Sequence, residues 1–308
     1  MPPGRQRRAE GVFDLLIQWY PGHMAKAKRL LQDQLSRVDA VIEICDARLP
    51  ESSRNPVLNA MLRGKARVLM MNKADLANPA MTRKWQAYYQ AHGVQCAAIT
   101  AGRSAREVFK AIENLTRDKV ARGEARGVRR TVRVMVVGVP NVGKSTIINQ
   151  LHGGAIAQVG NRPGVTRSNQ WVRVGEYLEV LDTPGLLWPK LDDPVAARRL
   201  AYISAIRDEV VDTFALSCAL LEDMTALAPE ALTARYKITD MSLRGQALLE
   251  AVCRGRGFLL RGGELDIERA TAVVLDEFRD GKLGRLTLEA PPETAEKAPV
   301  KENNDDAQ

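Results

Sequence analysis

Residues 138–146 read Gly138-Val139-Pro140-Asn141-Val142-Gly143-Lys144-Ser145-Thr146, directly after an apolar run at 132–137 and directly before a stretch with helical spacing. A glycine-bounded loop between a strand and a helix is the context a phosphate-binding loop demands. Backbone N–H groups of Gly138, Asn141, Val142, Gly143 and Thr146 can face phosphate oxygens there. Lys144 can reach the β and γ oxygens, and the Ser145 hydroxyl can ligate Mg²⁺. The loop commits this part of the chain to strand, turn and helix, and thus to the carboxyl edge of a sheet.

The pattern upstream is compatible with that commitment. Alternating apolar and polar runs predict strands at 38–45, 67–71 and 95–99, with helices at 55–63, 79–91 and 104–117 between them. This is βαβ alternation, hence a mostly parallel sheet with helices on both faces. A basic, glycine-punctuated stretch at 117–130 reads as a linker. Two further strands are expected at 170–174 and 177–181. From 194 to 281 no strand pattern stands out, and the segment reads as amphipathic helices. In the clearest of these, Asp266 is the N-cap, Ile267, Ala270, Val274 and Phe278 fall at helical spacing, and Gly281 is the stop.

Composition narrows the class. With 45% hydrophobic and 27% charged residues over 308 positions, the chain can bury a core, which excludes a disordered or collagen-like whole. No stretch approaches a membrane span, so a soluble, non-secreted protein is expected. The formal charge is +8, yet the segment from Thr287 onward carries six acids and two lysines, leaving the rest at +12. Such an excess suits a polyanionic partner such as nucleic acid. Cys45, Cys96, Cys218 and Cys253 have no paired spacing, so neither a zinc site nor a disulfide framework is indicated, in keeping with a reducing cytoplasm.

Two more motifs turn the loop into a specific site. Asp182-Thr183-Pro184-Gly185 follows a predicted strand, as expected for an aspartate that holds magnesium through water while the Gly185 amide meets the γ-phosphate. Asn72-Lys73-Ala74-Asp75 closes the strand at 67–71. A carboxylate at Asp75 can accept from both N1–H and N2–H₂ of guanine, a pattern adenine lacks. Alone, Asn-Lys-x-Asp is a common turn and N-cap; with the loop and the aspartate motif it becomes the guanine site of a GTPase. Thr100-Ala101, after the strand at 95–99, would add a backbone contact to the base.

The order of these motifs is inverted, since the base motifs precede the phosphate loop. The chain resembles the YlqF-type circularly permuted GTPases, most closely the ribosome biogenesis GTPase A family. The resemblance rests on Gln18-Trp19-Tyr20-Pro21-Gly22-His23-Met24-Ala25-Lys26-Ala27, Asp46-Ala47-Arg48-Leu49-Pro50, Asn72-Lys73-Ala74-Asp75 and the phosphate loop. It extends through Arg162-Pro163-Gly164-Val165-Thr166 and Asp182-Thr183-Pro184-Gly185 to Leu186-Leu187-Trp188-Pro189-Lys190. It implies an α/β fold, a circularly permuted P-loop GTPase domain at 18–191 followed by a small all-helical RNA- or ribosome-binding domain at 192–286. A flexible basic extension at 1–17 and a disordered acidic tail at 287–308 are expected to flank them. It also implies a cytoplasmic, monomeric protein without membrane attachment that uses GTP/GDP, Mg²⁺ and K⁺. Its partner would be the large ribosomal subunit precursor with its rRNA, late in assembly. Glu10 and Asp14 weaken a mitochondrial targeting reading of the extension.

By the same resemblance Thr166 is the switch threonine that closes on Mg²⁺, against the plainer reading of a turn residue. Leu186 stands where a signalling GTPase carries its water-orienting glutamine. His23 is the candidate replacement, because a neutral imidazole can position water and only His92 and His152 compete; helix capping is the equal alternative. Asn141 is either a turn residue or, as the resemblance implies, a holder of the monovalent cation. Asp46 and Arg48 read as an ion pair or cap ahead of a ligand contact. Arg254, Arg256, Arg261, Arg279, Lys282 and Arg285, spaced by glycines, are expected to meet phosphates. A GTP-gated RNA-binding scaffold with negligible turnover, or a GTPase of tRNA modification, are the competing functions.

Overall fold

The computed structural model describes residues 29, 31–62, 64–127, 130–155, 170–185, 187 and 193–292. Strands β1 (Ala40–Asp46), β2 (Ala66–Asn72), β3 (Cys96–Ala98), β4 (Val132–Val137), β5 (Gln170–Val174) and β6 (Leu178–Asp182) form one sheet in the order β3-β2-β1-β4-β6-β5. All neighbours are parallel except the edge pair β5 and β6. β1, Ala-Val-Ile-Glu-Ile-Cys-Asp, is buried along its whole length, as a central strand covered on both faces must be. Its one mid-strand charge, Glu43, is neutralised by a two-point contact with Arg54 at 2.8 and 3.0 Å.

Helices α1 (Pro56–Met61), α2 (Pro79–Ala91), α3 (Ala105–Glu124) and α4 (Lys144–His152) cover the sheet. Asn55 and Asn78 cap α1 and α2 with their side chains, each followed by proline in the first turn. The stretch expected as a linker at 117–130 is helical as far as Glu124. α3 buries Val108, Ile112, Thr116 and Gly123 along one face, and that contact outweighs the low helix propensity of a single glycine. Lys119, in this extended part, pairs with Asp39, the residue before β1.

Beyond the sheet lie α5 (Pro194–Tyr202), α6 (Thr213–Leu227), α7 (Pro229–Tyr236), α8 (Gln246–Arg256) and α9 (Ile267–Arg279). The anticipated cap and spacing of α9 are present, with Asp266 accepting from the Arg269 amide at 3.0 Å. One apolar cluster runs from Ile44, Val136 and Ile148 through Leu200 and Tyr202 to Leu220, Val252 and Phe278. The division expected at 191 therefore does not divide the core.

Residues 287–292, which composition assigned to a disordered tail, lie against the rest of the chain, and the remainder of that expected tail lies outside the described residues. Leu288 is 2% and Glu289 7% exposed, and the chain is described through 292. The Glu289 carboxylate accepts from the amides of Glu51 at 2.7 Å and Ser52 at 3.1 Å, while its carbonyl accepts from Trp85 Nε1 at 3.0 Å. A charge-rich composition hides such a contact because the carboxylate's donors come from a distant loop.

Candidate functional site

Parallel strands end together, so the motifs that follow them converge. The register sets Asp46 beside Asn72 and Val136 beside Asp182, which brings the ends of β1, β2, β4 and β6 to one carboxyl edge. The phosphate loop leaves β4 there. Gly143 has φ +95°, and a Cβ on it would fall 2.3 Å from Asn72 Nδ2, so only glycine allows the loop to lie against the base motif. Asn141 also has positive φ, at 61°, a conformation asparagine tolerates.

Lys144 opens α4 and is 5% exposed. Its Nζ donates to the Val139 carbonyl at 2.9 Å, folding the side chain back over its own loop. Burial pulls its pKa down to about 8, with Asp182 acting the other way. The Ser145 hydroxyl donates to Asp182 Oδ2 at 3.2 Å, so a hydroxyl and a carboxylate from two motifs meet at one point. Thr183 of the same motif donates its hydroxyl to the Val136 carbonyl at 2.7 Å, fastening the end of β6 to β4. A Cβ on Gly185 would lie 2.6 Å from the Pro140 backbone; the aspartate motif thus touches the phosphate loop.

Asn72 binds the base side together. Its Nδ2 donates to the Val142 carbonyl at 2.7 Å and its Oδ1 accepts from the Ala101 amide at 2.9 Å. The Thr100 amide donates to Ser104 Oγ at 3.1 Å, and the Ala74 amide to the Ile99 carbonyl at 3.1 Å. Lys73, at φ 59°, sets its ammonium 3.2 Å from Asp46 Oδ2. Asp75 is exposed. The sequence-derived residues Asn72, Lys73, Asp75, Thr100, Ala101, Gly138, Asn141, Val142, Gly143, Lys144, Ser145, Thr146, Asp182 and Gly185 are thus gathered at one sheet edge. His23, Thr166 and Leu186 lie outside the described residues.

Asp46 and Arg48 form a buried two-point ion pair at 2.8 to 2.9 Å. Burial would raise the Asp46 carboxyl, but Arg48 and Lys73 outweigh it and hold it well below the usual carboxylate range. Arg48 Nη1 donates in turn to the Phe278 carbonyl at 2.8 Å, at the end of α9. Asn141 Nδ2 donates to the Ser204 carbonyl at 2.6 Å, a second link from the site to the helices.

The basic residues expected to meet phosphates divide. Arg279 is held by Asp208 through two bonds at 2.7 Å and by the carbonyls of Ala201 and Tyr202, which makes it an internal brace. Arg285 donates to the Asp75 carbonyl at 3.0 Å and Lys282 pairs with Asp280. Arg256 and Arg269 lie over the Phe258 ring at 5.6 and 4.5 Å, beside exposed Leu259, Leu260 and Arg261. Contacts between residues far apart in sequence, such as Arg285 with Asp75, have no local spacing by which to be found.

A mostly parallel sheet whose phosphate loop, aspartate motif and Asn-Lys-x-Asp motif meet at one edge in inverted chain order defines a circularly permuted P-loop GTPase. Residues 133–236 match the family described as 50S ribosome-binding GTPase. The ribosome biogenesis GTPase A of Bacillus cereus is 42% identical over 285 residues, covering 92% of this chain and 96% of that protein. That of Thermotoga maritima is 30% identical over 275 residues, covering 89% and 95%. A crystal structure of GNP-bound YlqF from T. maritima superposes with a TM-score of 0.62 at 28% identity, over 87% of this chain and 99% of that one. The chain belongs to the ribosome biogenesis GTPase A family, and it is a GTP hydrolase of ribosome biogenesis. Among the described residues no helix is long and apolar enough to cross a membrane.

Proposed function

We propose that this GTPase binds the large ribosomal subunit precursor and its rRNA in the cytoplasm as a monomer, and that hydrolysis times its release late in assembly. The observation that carries the reading is the direct fastening of the helical region to the nucleotide edge, through Arg48 to Phe278 and Asn141 to Ser204. A helical region held this way can bind RNA differently in different nucleotide states. The loop at 258–265, with Arg256 and Arg269 stacked on Phe258 and Arg261 at its tip, supplies cationic and apolar groups suited to RNA.

In this reading Asp75 selects guanine, Thr100 and Ala101 support the base, Asn72 holds the loop, and Lys73 fastens the base motif to Asp46. Gly138, Asn141, Val142, Gly143, Thr146 and Gly185 offer backbone N–H groups to the phosphates, and the α4 dipole adds to them. Lys144 leaves the Val139 carbonyl for the β and γ oxygens and regains its full charge there. The Ser145 and Asp182 oxygens fit a magnesium ion, a hard cation that takes few protein ligands and keeps its waters. Bound there, magnesium would neutralise charge on the β and γ oxygens. Asn141 is the proposed holder of potassium, Thr166 of the switch contact and His23 of the attacking water. In phosphoryl transfer such positioning and charge compensation supply most of the rate.

Sedimentation of the full chain with large subunits in GTP, GDP and a nonhydrolysable analogue tests the function. Co-sedimentation favoured by the analogue and lost in GDP is expected, weakening steeply with salt. Association indifferent to nucleotide and to salt would overturn the proposal.

A further inference from the structure

The base motif is fastened on two sides. From within the sheet, Asn72 ties it to the phosphate loop and Lys73 to Asp46. On its outer side, a segment from the far end of the chain runs along it. Gly281 packs on Leu76, with φ +74°, and a Cβ there would fall 2.6 Å from Leu76 Cδ2. Arg285 Nε donates to the carbonyl of Asp75 itself at 3.0 Å. The Leu286 amide donates to the Leu76 carbonyl at 3.0 Å, and the Asn78 amide to Thr287 Oγ1 at 3.1 Å.

That segment is anchored at both ends. At its start Arg48 grips the Phe278 carbonyl at 2.8 Å, and its guanidinium lies 4.9 Å from the centre of the Phe278 ring. At its close the Leu288 amide donates to the Arg48 carbonyl at 2.9 Å, and Glu289 caps the amides of Glu51 and Ser52. A strap held at both ends presents a fixed row of donors and acceptors to whatever lies beneath it. Beneath it lies the backbone of residues 75–78.

The Asp75 side chain is exposed. Its direction is therefore set by its backbone, and Arg285 and Leu286 fix its own carbonyl and that of the next residue, Leu76. We propose that the strap at 281–289 is a specificity-determining part of the nucleotide site, with Arg285 and Thr287 as positioning residues that aim the Asp75 carboxylate at the guanine edge. This deepens the base-site reading given above and rests on it. Because binding free energies are reciprocal, a ligand that moves α9 also changes guanine affinity, and guanine nucleotide tightens the strap.

The test uses GDP, inosine diphosphate and xanthosine diphosphate with the full chain, measured by calorimetry beside nucleotide-free thermal unfolding. Inosine lacks the 2-amino group, so the GDP to inosine diphosphate affinity ratio reports how well Asp75 is aimed. Arg285→Ala is expected to weaken GDP about three- to tenfold, the worth of a hydrogen bond to the loop, and to shrink that ratio. Arg285→Lys should recover much of both, and Thr287→Val should act in the same direction as Arg285→Ala. Asp75→Asn serves as the reference and should shift preference to xanthosine diphosphate. If Asp75→Asn keeps the guanine preference, the base-site reading itself fails. If Asp75→Asn switches as expected while Arg285→Ala and Thr287→Val keep the wild-type ratio, the strap has no part in specificity. A lowered unfolding midpoint with an unchanged ratio in these variants would mean a purely structural brace and would equally overturn the inference.

Discussion

The Asn72 amide donates to the carbonyl oxygen of Val142 at 2.7 Å, joining the base motif to the phosphate loop across 70 residues of sequence. The two halves of a permuted nucleotide site thus share one side chain, which also accepts from Ala101.

Asn72→Ala leaves a buried acceptor and a donor without their partner. Each such loss costs about 1–3 kcal/mol. GDP affinity should fall at least about tenfold, with the phosphate and base contributions weakened together. Calorimetry with GDP and with pyrophosphate checks this: a loss for GDP with pyrophosphate untouched would show the two halves to be independent.

Lys144 makes stability and binding respond to pH in opposite senses. An unfolded lysine titrates at about 10.4, whereas burial brings Lys144 to about 8 in the folded chain. Between those values the unfolded chain holds more protons, so nucleotide-free stability rises with pH through that window. Phosphates restore the charge, so GDP affinity should fall there, by at most about tenfold per pH unit. Lys144→Met should bind nucleotide poorly yet unfold at a higher temperature, and should lose this part of the pH dependence. Parallel pH profiles in the wild type and Lys144→Met would contradict the assignment.

Arg48→Ala would strand the buried Asp46 carboxylate with only Lys73 as a counter-charge. Removing one partner of such a pair costs about 3–5 kcal/mol, measurable by urea unfolding at neutral pH. The depressed Asp46 carboxyl contributes stability that is present above about pH 4 and lost as pH falls further. The penalty of the substitution should therefore shrink in acid.

Turnover should be faster in potassium than in sodium if Asn141 holds a cation. Asn141→Ala should erase that preference while leaving GDP binding largely intact, read by phosphate release in the two salts. Equal wild-type rates would dismiss the cation from the mechanism.

The phosphate loop, the aspartate motif and Asn72-Lys73-Ala74-Asp75 were legible because each packs its chemistry into a few adjacent residues with a strand before it. The strands at 132–137 and 170–174 coincide with β4 and β5, since turn residues mark their ends. The end of α3 was not legible: Gly123 and the arginines around it look like a linker until the buried face is seen. Arg279 and Arg285 looked like their neighbours in a basic run. Only distant Asp208 and the Asp75 carbonyl distinguish them from Arg261. The local sequence encodes a donor, and the chain's path decides what accepts from it.

The central pairing of β1 with β4, Ala40 against Val134, has a consequence for how the chain is made. During synthesis β1, β2 and β3 emerge first and can pair among themselves, while the other edge of β1 waits for β4. That edge belongs to a strand buried at every position, and an open apolar edge invites pairing with other chains. The inverted order of motifs thus leaves that edge of β1 without its partner strand until the second half of the chain is delivered.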